Sequence, residues 1–593
     1  MKRDGDKASI QVALASGTVL QVATALDAMV AEISDLVLER AELKGALRLA
    51  IQGRLLKPAQ TLAAAGVRHG DTLSAVVVPR FRLFSTDSAF AVLKADGSVV
   101  AWGKGDAGGY IPDEIEADLA GDVLEVFANN SSFAAMKTDG SVVVWGAAET
   151  GGEVPVAKRE LLKTGVKQVF ATFRAFAVLK EDGSVVCWGL SESGGDASRV
   201  SEQLRSGVVD LRAAGRSFAA LKEDGSVLSW GAVDSRGVQH ELQGCCRLFA
   251  NREAFAALKT GGKLITWGDP DRGGESSAVR GKLERDVEEV FASQYSRAFA
   301  ALKTNGELVI WGGTGLDHSG AGGQFGGDAK AVSEQLQSGV KEVFCNTRAF
   351  AALKSNGDVV TWGHPRYGGD CANVQEELRN VRTIFPNPRL FAALRSDGSL
   401  ITWGRASSGG DSSTVKAQLR SGVQSAVANK YTWSGCLYDG CDDFAFAALK
   451  TGGEVVTWGP LARGGGGNEE VKEQLQSGVL EICATSSAFA AVKLHDVVTW
   501  GDISMPRDVR AKLLDEAPKG TGKLTSKGRF MLDAGKGKGE FGPKGPWKGT
   551  TGAFMDAAWK GKGKVGMREL SEDDRLGARA RSRTPANRSS KLE

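Results

Sequence analysis

The stretch that decides the fold is Phe391-Ala392-Ala393-Leu394-Arg395-Ser396-Asp397-Gly398-Ser399-Leu400-Ile401-Thr402-Trp403-Gly404. Two apolar runs flank an Asp-Gly dipeptide, and Asp-Gly accepts the positive φ angles of a two-residue hairpin turn. The stretch therefore reads as two antiparallel strands. Both runs are apolar on both faces, so the hairpin must be covered on each side by something similar. Small alanines permit close sheet packing, and Phe391 and Trp403 fill the gaps.

The sequence supplies that cover by repetition. Trp-Gly recurs at Trp102, Trp145, Trp188, Trp230, Trp267, Trp311, Trp362, Trp403, Trp458 and Trp500, with intervals of 37 to 55 residues, most near 43. A phenylalanine precedes each, at Phe90, Phe133, Phe176, Phe218, Phe255, Phe299, Phe350, Phe391, Phe446 and Phe489. The turn is Asp-Gly at Asp96, Asp139, Asp182, Asp224 and Asp397, Asn-Gly at Asn305 and Asn356, and Gly-Gly at Gly261 and Gly452. The last copy, around His495-Asp496, lacks the glycine, as a terminal capping repeat does. A period of this length predicts an array in which each unit packs only on its neighbours.

A third element follows several copies: Gly-Gly-Asp leading to a Val and a Leu four residues apart, then Ser-Gly-Val. It starts at Gly195-Asp196, Gly274-Glu275, Gly327-Asp328, Gly369-Asp370, Gly410-Asp411 and Gly467-Asn468. The pairs Val200/Leu204, Val415/Leu419 and Val471/Leu475 suggest one face of a short helix, capped by Asp or Ser at its start and ended by Ser-Gly. The glycine and aspartate ladder of a calcium-binding loop is missing, so the aspartates read as caps.

The array resembles the repeats of the regulator of chromosome condensation family, most clearly at Phe90 to Gly103 and Phe391 to Gly404. That resemblance implies a β-propeller; in the family it has seven four-stranded blades. Here there are ten copies, the units are shorter, and a helical segment replaces a Pro-containing loop. A larger ring, a seven-blade ring with extra hairpins and an open superhelix all stay open, and a β-propeller-like array of about ten hairpin repeats over residues 81–515 is the preferred reading.

Ahead of the array, after an N-terminal extension of residues 1–7, residues 8–80 read strand, turn, strand, helix and short strands. Ile10, Val12 and Leu14 alternate, and helical spacing runs from Ala25 to Leu43. Leu47 to Leu56, Thr61-Leu62 and Gly70-Asp71-Thr72-Leu73 resemble the second half of ubiquitin-like domains in order and turn spacing. The resemblance implies a β-grasp fold. The helix region is longer than in ubiquitin. The last strand continues into Val78-Pro79-Arg80-Phe81, so no free Gly-Gly end exists for conjugation. Ala50 stands where ubiquitin's binding face has its central isoleucine, and Val76 keeps the neighbouring wall; these two are the candidate partner-binding residues.

The chain of 593 residues has a formal net charge of +3. From Pro518 onward there are 18 Lys or Arg and 8 Asp or Glu, a net of +10, so the rest carries 3 − 10 = −7. Residues 516–593 are dominated by Gly-Lys pairs and read as a disordered basic tail. Lys536, Lys538, Trp547, Lys548, Lys562 and Lys564 are its candidate polyanion contacts, with lysines for phosphates and aromatics for bases. Eight cysteines lack both disulfide density and zinc spacing and read as reduced thiols, mostly buried. The start, MKRDGDKASI, has no apolar run, and no run of about 18 apolar residues exists, so a cytoplasmic or nuclear protein without membrane contact is expected.

No catalytic residue, metal site or cofactor site is expected. The five histidines are scattered, no phosphate-binding Gly-x-x-x-x-Gly-Lys-Ser/Thr loop occurs, and Lys and Asp recur at turn positions ten times where an active site would occur once. The expected function is a non-catalytic protein-interaction scaffold or adaptor, tied by its head to ubiquitin signalling. The alternatives are a guanine-nucleotide exchange regulator of a small GTPase, by family resemblance, and a chromatin or RNA adaptor acting through the tail.

Overall fold

The computed structural model describes residues 7–514, apart from 15–16, 42, 44, 57–59, 294–295, 314–325, 431–443 and 467–468. The tail contacts proposed above, the Gly467-Asn468 start, and Cys436 and Cys441 lie outside the described residues.

The first unit is a five-stranded β-grasp sheet. Its strands are β1 (Lys7–Leu14), β2 (Val19–Ala25), β3 (Ala46–Ile51), β4 (Arg54–Leu55) and β5 (Thr72–Val78), in spatial order β2-β1-β5-β3-β4. The β1–β5 pair is parallel and the other pairs are antiparallel. Helix α1 (Val30–Arg40) covers one face, and Val30, Ile33 and Val37 pack on Ile10, Val12, Leu49 and Leu73. The helix is shorter than the spacing from Ala25 to Leu43 suggested. Ala25 is the last residue of β2, and Met29 is an extended N-cap whose amide donates to the Glu32 carboxylate at 3.1 Å.

The array consists of ten three-stranded sheets, numbered here in chain order. Sheet 1 comprises Phe81–Ser85, Ala89–Lys94 and Val99–Gly103. Sheets 2 to 10 begin at Val123, Val166, Val208, Cys245, Val287, Val340, Val381, Val423 and Val479, and sheet 10 ends at Gly501. The hairpins anticipated from sequence are the second and third strands of each sheet. The first strand is an addition to that reading. In sheets 2 to 10 its pairing carries a β-bulge, as between Val166 and Gln168, so its buried residues fall three apart (Val166 and Val169, Val208 and Leu211); in sheet 1 the register is unbroken and Phe81, Leu83 and Ser85 keep a period of two.

The turns also differ from expectation. Lys94 donates to the Ser98 carbonyl at 2.8 Å and Gly97 to the Lys94 carbonyl at 3.0 Å, which encloses three residues. Gly97 alone takes a left-handed φ of 88°, while Asp96 receives the Ser98 amide at 2.8 Å and hydroxyl at 2.7 Å. This is a type I turn closed by a glycine bulge. Only the last copy has a two-residue loop, with Lys493 donating to the Asp496 carbonyl at 2.8 Å.

Each sheet has two unlike faces. On sheet 1 one face shows Ala89, Ala91 and Leu93, and the other shows Phe90, Val92 and Trp102. The small face of one sheet receives the aromatic face of the next, so Phe133 and Trp145 of sheet 2 sit on Ala89 and Ala91. In all ten sheets the Phe and Trp rings lie 5.0 to 5.5 Å apart, near parallel to moderately tilted. One leucine from the connecting segment completes each junction, from Leu119 in the first to Leu475 in the ninth; burying it contributes about 1.5–3 kcal/mol.

The connecting segments are mostly 3-10 turns where a short α-helix was expected. Their aspartates are not the N-caps expected: the turns are entered at Ala197 and Ser412, and Asp196 and Asp411, one residue earlier, accept from the Ser198 and Ser413 amides at 2.9 and 2.8 Å. The recurrent glycines answer to crowding. A Cβ on Gly108 would lie 2.6 Å from the Phe133 ring, and one on Gly109 would lie 2.4 Å from the Gly103 carbonyl carbon. The freed Gly108 carbonyl accepts the Trp145 indole N–H at 3.0 Å.

The tenth sheet packs on the first. Ala488, Ala490 and Val492 present the small face, Phe90, Val92 and Trp102 the aromatic face, and Leu513 takes the leucine position. This is the same junction as the nine others, so the array closes into a ring of ten sheets. The superhelix and the seven-blade ring with extra hairpins are thereby excluded, as is the four-stranded blade of the resembled family. Sheet 10 is no terminal cap, because a closed ring has no end to cap. First strands of neighbouring sheets lie against one another, including those of sheets 10 and 1, which makes them the innermost layer.

Candidate functional site

Two surfaces carry the candidate chemistry. The first is the outer face of the β-grasp sheet. Leu47, Leu49, Leu73 and Ala75 point to the helix, so Arg48, Ala50, Ser74 and Val76 point away from it. Ala50 stands opposite Ser74 and Arg48 opposite Val76, so Ala50 and Val76 are diagonal neighbours on one face. Val76 is 52% exposed and Ala50 half-buried. Arg48 is held below its usual value by burial first and then by Arg82, with Asp96 opposing. The edge of this face thus lies beside the first sheet of the ring.

The second surface is the rim where first strands turn into second strands. In sheets 1 to 5 these loops are joined in series by main-chain hydrogen bonds. Asp87 donates to Asn130 at 3.0 Å, Asn130 to Phe173 at 3.3 Å, Phe173 to Gly215 at 3.0 Å and Gly215 to Arg252 at 2.8 Å. At the ninth junction Lys430 donates to Thr485 at 2.9 Å, and across the closure Ser486 donates to Asp87 at 3.1 Å. A Cβ on Gly215 would meet the Phe173 ring at 2.1 Å, a measure of how closely the loops converge.

On this rigid frame one position varies. The residue preceding the Ala-Phe (or equivalent) start of the second strand is Ser88, Ser131, Arg174, Arg216, Glu253, Arg297, Arg348, Arg389, Phe444 and Ser487 in sheets 1 to 10. Charge is confined to sheets 3 to 8. Arg252 from the same loop and Arg272 from the following turn join it. Arg272 pairs with Glu253, and Arg252 approaches Glu253 to 3.3 Å. Burial alone would raise the Glu253 carboxyl, but Arg252, Arg272, Arg297 and Arg216 hold it below the usual carboxylate range. Arg297 is pushed down to about 9, chiefly by burial and then by Arg272 and Arg252; it still carries its charge at neutral pH. Further along, the Arg348 and Arg389 guanidinium groups lie 5.1 and 5.4 Å from the Tyr367 ring centroid, and Arg389 donates to the Tyr367 hydroxyl at 3.2 Å. Like charges about 6 Å apart repel by roughly 3 kcal/mol at an effective dielectric constant near 20, so this arc concentrates positive charge that Glu253 and Asp269 only partly offset.

Among the described residues no group of three or more metal-ligating side chains is gathered. No two of the six described cysteines are joined in a disulfide; burial pushes the Cys187, Cys245 and Cys345 thiols up to about 11. No helix among the described residues is long and apolar enough to cross a membrane.

No protein-family model matches the chain, and no curated protein matches it. Among solved structures, similar chains include a Caldiarchaeum subterraneum ubiquitin, at 27% identity over 12% of this chain and 94% of that one, with a TM-score of 0.12. A ubiquitin-like domain from Plasmodium falciparum matches at 21% identity over 12% of this chain and 99% of that one, TM-score 0.12. The WD40 ectodomain of an Arabidopsis thaliana receptor kinase matches at 15% identity over 48% of this chain and 94% of that one, TM-score 0.26.

The face of Ala50 and Val76 was found from the ubiquitin-like pattern. The arginine arc was not, because its successive members lie 20 to 51 residues apart and only the ring brings them together. The available signal was the Phe-Ala-Ala-Leu alignment, in which the residue two before each Phe is Arg in five of ten copies.

Proposed function

We propose that this chain is a non-catalytic protein-interaction scaffold, in which a β-grasp head and a ten-sheet ring each present a binding surface. The observation that carries the proposal is how the repeat is used. The recurrent Phe, Trp, Gly pair and leucine are consumed by packing between sheets, while the rim position before the second strand changes among Ser, Arg, Glu and Phe around the ring. A frame held constant beneath a varied rim is what a recognition surface requires. The exposed Val76 beside Ala50 supplies the head with an apolar contact of the type that ubiquitin-like domains use, which supports a link to ubiquitin handling.

The test is affinity capture with the full chain and with its Val76→Asp variant. The reading expects specific partners on the full chain, with the subset bound through the head lost from the variant. Capture of no protein by the full chain would remove the proposal's basis. Turnover of a defined substrate by the purified chain would overturn its non-catalytic part.

A further inference from the structure

We propose that the arginine arc of the rim, from Arg216 to Arg389, binds an extended acidic peptide. The proposal rests on the scaffold reading and names the partner chemistry of one of its surfaces.

Three observations carry it. The first is charge. Arg216, Arg252, Arg272, Arg297 and Arg348 act on one another or on Glu253 closely enough to shift its carboxyl or the Arg297 guanidinium, and Arg389 continues the row through Tyr367. Guanidinium groups match carboxylates in planar, two-pronged geometry. The second is shape. The charges come from successive sheets, one or two per sheet, so they form a curved row and not a pocket for one small ion. A chain with an anionic side chain at every one or two residues fits such a row. The third is preorganisation. The Gly215 amide donates to the Arg252 carbonyl at 2.8 Å, the Ser293 hydroxyl to the Cys345 carbonyl at 3.4 Å and the Thr347 hydroxyl to the Pro388 carbonyl at 2.5 Å, Tyr367 stacks against two of the guanidinium groups, and Arg252 and Arg389 are only 6% exposed. Little side-chain freedom is lost on binding.

The same geometry disfavours single-stranded nucleic acid. Binding of that kind uses aromatic faces for the bases. Among the described rim residues, Phe173 is 1% exposed and Tyr367 4% exposed, and the Tyr367 ring already lies against arginines. Glu253 sits within the arc and pairs with Arg272. It occupies, from inside the molecule, the role that a peptide carboxylate takes from outside.

The experiment measures fluorescence anisotropy of a labelled hexaglutamate peptide with the full chain. Wild type is compared with Arg297→Ser/Arg348→Ser, with Arg216→Ser and with Glu253→Gln, each checked for native tryptophan emission. The basic tail is common to all variants, so differences between them report the rim. The double variant is expected to bind at least tenfold more weakly and Glu253→Gln to bind more tightly, with both effects shrinking at high salt. If the double variant does not fold, Arg216→Ser and Glu253→Gln still move affinity in opposite directions. Unchanged affinity across the folded variants would overturn the proposal, since binding would then belong to the tail or be absent. Tighter rim-dependent binding of an oligothymidylate would replace the peptide by nucleic acid. Either failure leaves the head's partners, and so the scaffold reading, intact.

Discussion

Two arcs of the ring share one frame and differ in what they place on it. In sheets 4 to 8 the rim collects arginines at buried and half-buried positions. In sheets 9, 10 and 1, where the ring closes, the rim carries Ser88 and Ser487, and polar chemistry moves inward. There Lys430 is 2% exposed and Asp87 1% exposed. The Lys430 ammonium donates to the Ser85 carbonyl, the Ser85 hydroxyl to the Ala484 carbonyl at 3.1 Å, and the Ser486 hydroxyl to the Asp87 carbonyl at 2.9 Å. The closing connection also lacks the Gly pair, so among the described residues the Trp102 indole N–H finds no acceptor. Met505 and Ile503 pack there instead. Sheet 5 shows that the frame tolerates such a loss: its connection is the shortest, and Trp267 donates to the Ser229 hydroxyl at 3.1 Å. The lesson is that repetition holds the frame, while its interruptions mark where the ring closes and where the rim changes its charge.

The largest expected effect tests whether the frame is common to both arcs. Trp311→Ala and Trp500→Ala should each cost about 3–5 kcal/mol in chemical denaturation, because each removes a buried ring of the same kind. A cost near zero in one arc alone would mean that its sheets are not packed as described.

The second effect belongs to the closure. Burial holds the Lys430 ammonium well below its ordinary value, with Cys483 and Asp87 opposing. Between that depressed value and 10.5 the unfolded chain binds the extra proton, so stability rises with pH across this window, by up to about 1.4 kcal/mol per pH unit. The raised Cys187, Cys245 and Cys345 thiols act in the opposite sense above about pH 9, their ordinary value being 9.0. The rise is therefore looked for below pH 9, and Lys430→Met should flatten it. An identical slope in the variant would show that Lys430 is not desolvated as described.

The third and smallest effect lies in the arginine arc. Glu253 is held below the usual carboxylate range, so its stabilisation is complete above pH 4.5 and is lost as pH falls through its depressed value. Glu253→Gln should cost about 1–3 kcal/mol at neutral pH, and the loss should vanish in acid. A cost independent of pH would point to packing and not to charge.

Much of this was legible in the sequence, for reasons that differ by element. The Trp-Gly period sets the number of sheets, because one Phe-Trp stack is needed per junction. The second and third strands were readable because both are apolar throughout. The first strands were not. Their bulge shifts buried positions such as Val287 and Val290 to a spacing of three, and their sequences diverge, as Cys245-Cys246-Arg247-Leu248 does from Val423-Gln424-Ser425-Ala426. Ring closure was also hidden. Leu513 looks like the end of the array and is in fact the tenth junction leucine, a role that only the packing of sheet 10 on sheet 1 assigns. The face of Ala50 and Val76 was readable by pattern, and the arginine arc required the fold.

Closure is the claim on which both arcs depend, and amide hydrogen exchange read by mass spectrometry tests it most directly. The amides of Asp87, Lys430 and Ser486 bridge neighbouring sheets at or beside the closure, as those of Phe173 and Gly215 do within the array. A closed ring predicts comparable protection for the segments 85–89 and 484–488 and for the segments 171–175 and 213–217. Rapid exchange confined to the first pair, with the second pair protected, would contradict it and leave an open array.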